Sequence, residues 1–135
     1  MFRLAVLLAA SLVLGCDKRD GPEAVADAFA DAYFLHMDQQ KAKEFTALGA
    51  TEMMDKELQD VAQIRKDGYR AADAAPDMTL RRGTPTTREQ RVRVPYEIHI
   101  KGGGESSETV RDADIELSHI DGAWKVVRIG LKNRS

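Results

Sequence analysis

Residues 91–101, RVRVPYEIHIK, and residues 108–120, ETVRDADIELSHI, decide the fold. In the first stretch Val92, Val94, Tyr96, Ile98 and Ile100 alternate with Arg91, Arg93, Pro95, Glu97, His99 and Lys101. That two-residue period belongs to a strand with one apolar face. The second stretch alternates again, with Ala113, Ile115 and Leu117 on its inner side. Setting Val94 against Ile115 and Val92 against Leu117 also brings Arg93 opposite Glu116 and Lys101 opposite Glu108. Apolar then meets apolar on one face and charge meets counter-charge on the other, as cross-strand pairs prefer. A slip of two residues preserves both faces and is equally compatible with the pattern. Gly102-Gly103-Gly104 reads as the turn between the strands. Pro95 lacks an amide proton and predicts an edge, a bulge or a non-bonded position at that point.

Downstream, Asp121-Gly122 is a hairpin signal. The last strand carries Trp124 and Val126 on one face and Val127 and Ile129 on the other, which implies either burial on both sides or a bulge that shifts its phase. Upstream, Met78 to Arg82 predicts a short edge strand. Before Pro76 the period is helical. Gly21-Pro22-Glu23 opens a first helix, with proline suited to the first position and glutamate to the positive end of the dipole. Val25, Ala28, Phe29, Ala32, Leu35 and His36 share its apolar face, and Phe34 points away. Met37 to Leu48 predicts a second helix ended by Gly49. Thr51 is a cap for a third, whose stripe runs through Met54, Leu58, Val61 and Tyr69, with Ile64 at the flank and Arg65 interrupting. Ala71 to Pro76 reads as a loop. The expected class is α+β: three N-terminal helices packed on a curved antiparallel sheet of about four strands.

The first fifteen residues differ in character. Arg3 precedes the apolar run Leu4 to Leu14, which as a helix rises only about 16 Å. A bilayer span needs roughly 20 apolar residues, so this run reads as a signal peptide. Val13-Leu14-Gly15-Cys16 resembles the lipobox of bacterial lipoproteins, in which the cysteine is acylated and becomes the new N-terminus. The expected division is a signal peptide at 1–15, an acylated linker at 16–21 and a single α+β domain at 22–131. Cys16 is the sole cysteine of the 135 residues, which excludes an intrachain disulfide and any CxxC motif. The resemblance implies a partner, the lipid bilayer, and a place on a bacterial membrane facing the periplasm or the cell exterior. Asp17 resembles the inner-membrane retention signal of enteric lipoproteins. Asp17 to Gly21 reach at most about 18 Å, which keeps the domain near the headgroups, with Lys18 and Arg19 among them.

Helices followed by a sheet that ends in Gly122-Ala123-Trp124-Lys125-Val126-Val127 resemble the nuclear transport factor 2-like fold, and in particular its small bacterial lipoproteins of unassigned function. The resemblance spans roughly residues 21 to 131. This chain departs from many members in having no obvious hairpin between its second and third helices. It implies a sheet wrapped around a helix, with a cone-shaped cavity that different members use for catalysis, for ligand binding or for dimer packing, so fold alone does not decide function.

Little in the sequence announces chemistry. Serine-hydrolase, P-loop, dinucleotide and zinc-protease motifs are absent, the three histidines are scattered, and no cofactor or metal is expected. Without Arg3 the chain carries 19 basic and 22 acidic residues, a net −3 that predicts no nucleic-acid binding. Arg81, Arg82, Arg88, Arg91 and Arg93 form a basic run, but Asp112, Asp114 and Glu116 on the neighbouring strand are placed to neutralise it. Tyr33, His36 and Tyr96 are the candidate cavity residues, with Asp38 the nearest carboxylate; the reading preferred on the residues places the His36 ring in water at a helix end and both tyrosines in the core. The expectation is a non-enzymatic, membrane-tethered domain that binds an envelope protein or a small ligand, or pairs as a homodimer. The alternative is a small isomerase- or cyclase-like enzyme that uses Tyr33, His36 and Tyr96 for acid–base work.

Overall fold

The computed structural model describes residues 21–65, 77–102 and 107–134. The signal peptide, Cys16, Tyr69, the loop at 71–76 and the centre of the glycine turn lie outside the described residues, as does the side chain of Arg65. Helix α1 spans Pro22–Ala30 and runs directly into a π turn at Asp31–Leu35. Helix α2 is Gln39–Lys43 and α3 is Gly49–Arg65. Strands β1 (Asp77–Arg82), β2 (Thr86–Arg88), β3 (Arg91–Lys101), β4 (Glu108–Ile120) and β5 (Ala123–Asn133) form one antiparallel sheet, ordered β1-β3-β4-β5 with β2 also on β3. No helix among the described residues is long and apolar enough to cross a membrane.

The central hairpin takes the register with Val94 on Ile115, Val92 on Leu117, Arg93 on Glu116 and Lys101 on Glu108. Its inner face supplies Val94, Ile115 and Leu117 to the core, all fully buried with Phe29, Met54 and Val126. On the outer face Arg93 pairs with Asp114 and Arg91 with Glu116. Pro95 sits where the partner edge is interrupted, between the end of β1 opposite Tyr96 and the start of β2 opposite Arg93. Its carbonyl accepts from the Gly83 amide at 2.8 Å, so its missing donor also faces that break, where it costs no ladder bond.

Three expectations change. The sheet has five strands, because Thr86–Arg88 returns through Glu89-Gln90, both with positive φ (50° and 66°). Such turns favour Asn-Gly, so Glu-Gln carries no recognisable signal. Second, Gly49 does not end a helix at 37–48; it starts α3 after Leu48, which takes the left-handed conformation (φ 55°). Thr51 therefore lies inside α3, and its hydroxyl meets that of Thr46 at 2.8 Å. Third, the face of the first helix rotates. The His36 amide bonds the Asp31 carbonyl five residues back, and this extra residue per turn advances the phase by about 100°. Phe34 is thereby buried and His36 turned outward, the reverse of a continuous α-helix.

The last strand resolves its ambiguity with a bulge. Leu117 pairs with Val126 and Glu116 with Arg128, leaving Val127 as the extra residue. Val126 and, beyond the bulge, Ile129 opposite Ile115 can then share one face. The Asp121-Gly122 turn has positive φ at both positions (51° and 83°), as its sequence predicts. The segment between α2 and α3 docks on β5: the Val126 amide donates to the Phe45 carbonyl at 2.8 Å, and the Ala47 amide to the Val126 carbonyl at 2.9 Å.

Candidate functional site

Where the π turn meets the sheet, the molecule leaves a cavity of about 280 Å³. Tyr33 and Phe34 form its helical wall, and Met37 and Gln39 come from the junction into α2. The sheet contributes Met78 from β1, Ile98 and Ile100 from β3, Arg111 from β4 and Leu131 from β5. The wall is largely apolar, and its polar side chains are those of Tyr33, Gln39 and Arg111. Gln39 Oε1 and Arg111 Nε are sealed from solvent and from the cavity, and neither has a hydrogen-bond partner among the described residues. Native structures rarely leave such atoms unsatisfied, because each costs about 1–3 kcal/mol. Arg111 makes no ion pair among the described residues, in common with Arg81, Arg88 and Arg128, whereas Arg82, Arg91, Arg93 and Arg134 do.

The three candidate cavity residues are separated. Tyr33 stands in the wall, with its ring stacked on Phe29 at 5.4 Å and its hydroxyl donating to Glu57 Oε1 at 2.7 Å. Tyr96 lies two pairs along β3 from Ile100, almost fully buried, and donates to Asp27 Oδ1 at 2.6 Å. Arg82 clamps the same Asp27 and also Glu23 at 3.2 Å, which ties α1 to the sheet edge. His36 lines neither this cavity nor the larger cleft described below; its side chain is 67% exposed and faces the Asp31 carboxylate at 3.3 Å. Burial, reinforced by Glu57, pushes the Tyr33 hydroxyl well above the usual tyrosine range, and burial with Asp27 does the same to Tyr96. Both are protonated at neutral pH, and each directs its only proton to a carboxylate. Asp38, the expected nearest carboxylate, instead caps α2 by accepting from the Lys41 amide at 3.0 Å.

Arg111 was legible in principle. It shares the alternation of Ala113, Ile115 and Leu117, so it falls on the inner face, opposite Ile98. Gln39, Glu57 and Asp27 carry no such signal, since only the packing of separate elements brings them to their partners.

A larger cleft of about 560 Å³ opens beside Gly83 and Pro95. Most of its charges have partners, Arg82 on α1, Asp114 on Arg93, and Glu97 and Asp112 on Arg134, whereas Arg81 makes no ion pair among the described residues. Nearby, His99 is held on both ring nitrogens, by Glu108 and, at 2.9 Å, by Glu97. The two carboxylates lie on opposite edges of the ring and so do not converge on one metal ion. Glu108 and then Glu97 raise the His99 pKa above its ordinary 6.5, opposed by partial burial and by Arg81. A group raised on folding stabilises fully below its unfolded pKa and loses that contribution as pH rises through the folded one. The urea midpoint is therefore expected to fall more between pH 6 and pH 9 in the wild type than in His99→Gln. Equal falls in the two proteins would show that the ring contributes nothing.

No protein-family model matches the chain, and no curated protein matches it. Solved structures do. A chain from Thiobacillus denitrificans, described as a calcium/calmodulin-dependent protein kinase type II association domain, is similar with a TM-score of 0.60 at 14% identity, over 84% of this chain and 95% of that one. An NTF-2 like protein of unknown function from Shewanella oneidensis aligns with a TM-score of 0.52 at 10% identity, over 79% and 92%. Bd1075 of Bdellovibrio bacteriovorus aligns with a TM-score of 0.51 at 10% identity, over 84% of this chain and 39% of that one. At these identities the likeness shows the fold, which is nuclear transport factor 2-like.

Proposed function

We propose that this chain is a lipid-anchored domain of the bacterial envelope that binds a small ligand in the cavity between the π turn and the sheet, without catalysing a reaction on it. The observation that carries the reading is the cavity itself, a half-open and largely apolar hollow with Tyr33, Gln39 and Arg111 in its wall. Its volume lies at the low end of ligand pockets, which run from roughly 300 to 1,000 Å³. The non-enzymatic reading is supported by the two tyrosine hydroxyls, both spent on structural carboxylates. The isomerase-like alternative needs His36 at the cavity, and its ring points to solvent.

Two measurements on the full chain expressed in bacteria and extracted from membranes test the reading. Intact mass is expected to show a chain starting at Cys16 with added acyl mass, absent from Cys16→Ser; an unacylated chain retaining residues 1–15 would refute the anchor. Methionine-methyl NMR reads binding. Benzamide, a probe of suitable size, is expected to shift Met37 and Met78 at the cavity and to leave the core residue Met54 unchanged. Absence of any shift with benzamide, or with benzoate as a second probe, would refute the binding site.

A further inference from the structure

The geometry points to a proton-operated latch on the outer face of the sheet: protonated His99 ties Glu97 of β3 to Glu108 of β4, and on losing its proton it keeps Glu97 and releases Glu108 to Lys101. Its basis is what an imidazole can donate. Both ring nitrogens meet a carboxylate, Nδ1 that of Glu108 and Nε2 that of Glu97 at 2.9 Å. A neutral imidazole carries one N–H, so its other nitrogen would set a lone pair against a carboxylate, and only the imidazolium serves both. The His99 side chain is 15% exposed, which leaves little room for water to replace either partner.

The two carboxylates are held differently, and this decides which contact opens. Glu97 is also bonded by Arg134 at 3.2 Å, and Arg134 in turn holds Asp112 of β4 at 2.7 Å. Glu108 is the first residue of β4 and half-exposed. Directly opposite it stands Lys101, which makes no ion pair among the described residues. Deprotonation therefore sends the Nδ1 proton to water, leaves Nε2–H on Glu97 and frees Glu108 for Lys101. From β1, Thr79 lies opposite His99, with Asp77 and Arg81 on either side of it on the same face. From β4, Val110 lies opposite the ring. Glu108 and then Glu97 hold the ring's pKa above its ordinary 6.5, against partial burial and Arg81, so the latch opens on the alkaline side of that value. Ile98 and Ile100 flank His99 and turn to the inner face, where both line the cavity. The latch thus sets how firmly the strand end beneath the cavity is held.

NMR on the full chain extracted from membranes tests the latch. Ring 15N signals of His99, assigned by their loss in His99→Gln, are expected to show both nitrogens protonated at pH 6 and the Nε2–H tautomer alone above a midpoint higher than 6.5. Glu108→Gln should lower that midpoint. Exchange of the backbone amides at 98–101 and 108–110 is compared with His99→Gln at each pH, which cancels its intrinsic pH dependence. It should be about two- to fivefold slower in the wild type at pH 6, the reach of an exposed ion pair, and equal in the two proteins at pH 9. A midpoint at or below 6.5, an Nδ1–H tautomer at high pH, or equal exchange at pH 6 would each overturn the latch. The ring signals need no folded variant beyond assignment, which a histidine-selective label with backbone connectivity also supplies. No ligand enters the experiment, so its outcome bears on the latch and not on the cavity as a binding site.

Discussion

Phe29→Ala is expected to lower the unfolding free energy by about 3–5 kcal/mol, the cost of emptying a large aromatic site in a closed core. Phe29 is fully buried on α1, and around it converge the helices and the inner face of the central hairpin. Its ring also stacks on Tyr33, which in turn meets Phe34 edge-on at 5.0 Å. The loss therefore reaches the cavity wall. Denaturant titration should show the lower midpoint, and the melting temperature should fall by roughly 10–20 °C. A change below about 1 kcal/mol would mean that the space collapses around alanine and that Phe29 does not organise the core.

The second large effect is expected at Val126→Pro. Val126 is fully buried next to the bulge, and its amide and carbonyl both bond the segment linking α2 to α3. Proline removes the amide proton, puts ring carbon against the Phe45 carbonyl and leaves that oxygen without its donor. About 3 kcal/mol or more should be lost, with α2 and α3 detaching from the sheet edge. The neighbouring Val127→Ala, at the bulge itself and only half-buried, should cost about 1 kcal/mol or less. Hydrogen exchange would separate the two cases: Ala47 loses protection in Val126→Pro and keeps it in Val127→Ala. Retained protection of Ala47 in the proline variant would contradict the docking role.

The sheet was the most legible part of this fold. Side chains in strands alternate strictly, so the inner set Val92, Val94, Tyr96, Ile98 could be listed before any contact was known, while the choice between the register and its slip by two residues fell to the structure. The Asp-Gly turn was equally plain, because its backbone demands residues that tolerate positive φ. The Glu89-Gln90 turn makes the same demand with residues that do not advertise it, and β2 was hidden for that reason. The helices were legible as helices and illegible in phase. Periodicity assumes a constant turn, and a single π turn at Asp31–Leu35 invalidates every facing assigned beyond it. That is why His36, counted on the apolar face of the first helix, lies off it, with its ring in solvent as the preferred reading had it.

By itself the sequence determined the class of the domain, the central hairpin with its inner and outer faces, and the Asp-Gly turn, since each of these depends on local pattern alone. The tertiary structure alone decided that the helix slips by one residue at the π turn, that β5 bulges at Val127, and that Tyr33 and Tyr96 spend their protons on Glu57 and Asp27. It also decided that Arg111 and Gln39, from β4 and α2, line one cavity. The physical reason is range. Alternation and turn preference act between neighbours along the chain, whereas the satisfaction of a buried polar atom depends on residues tens of positions away that only packing brings within hydrogen-bonding distance.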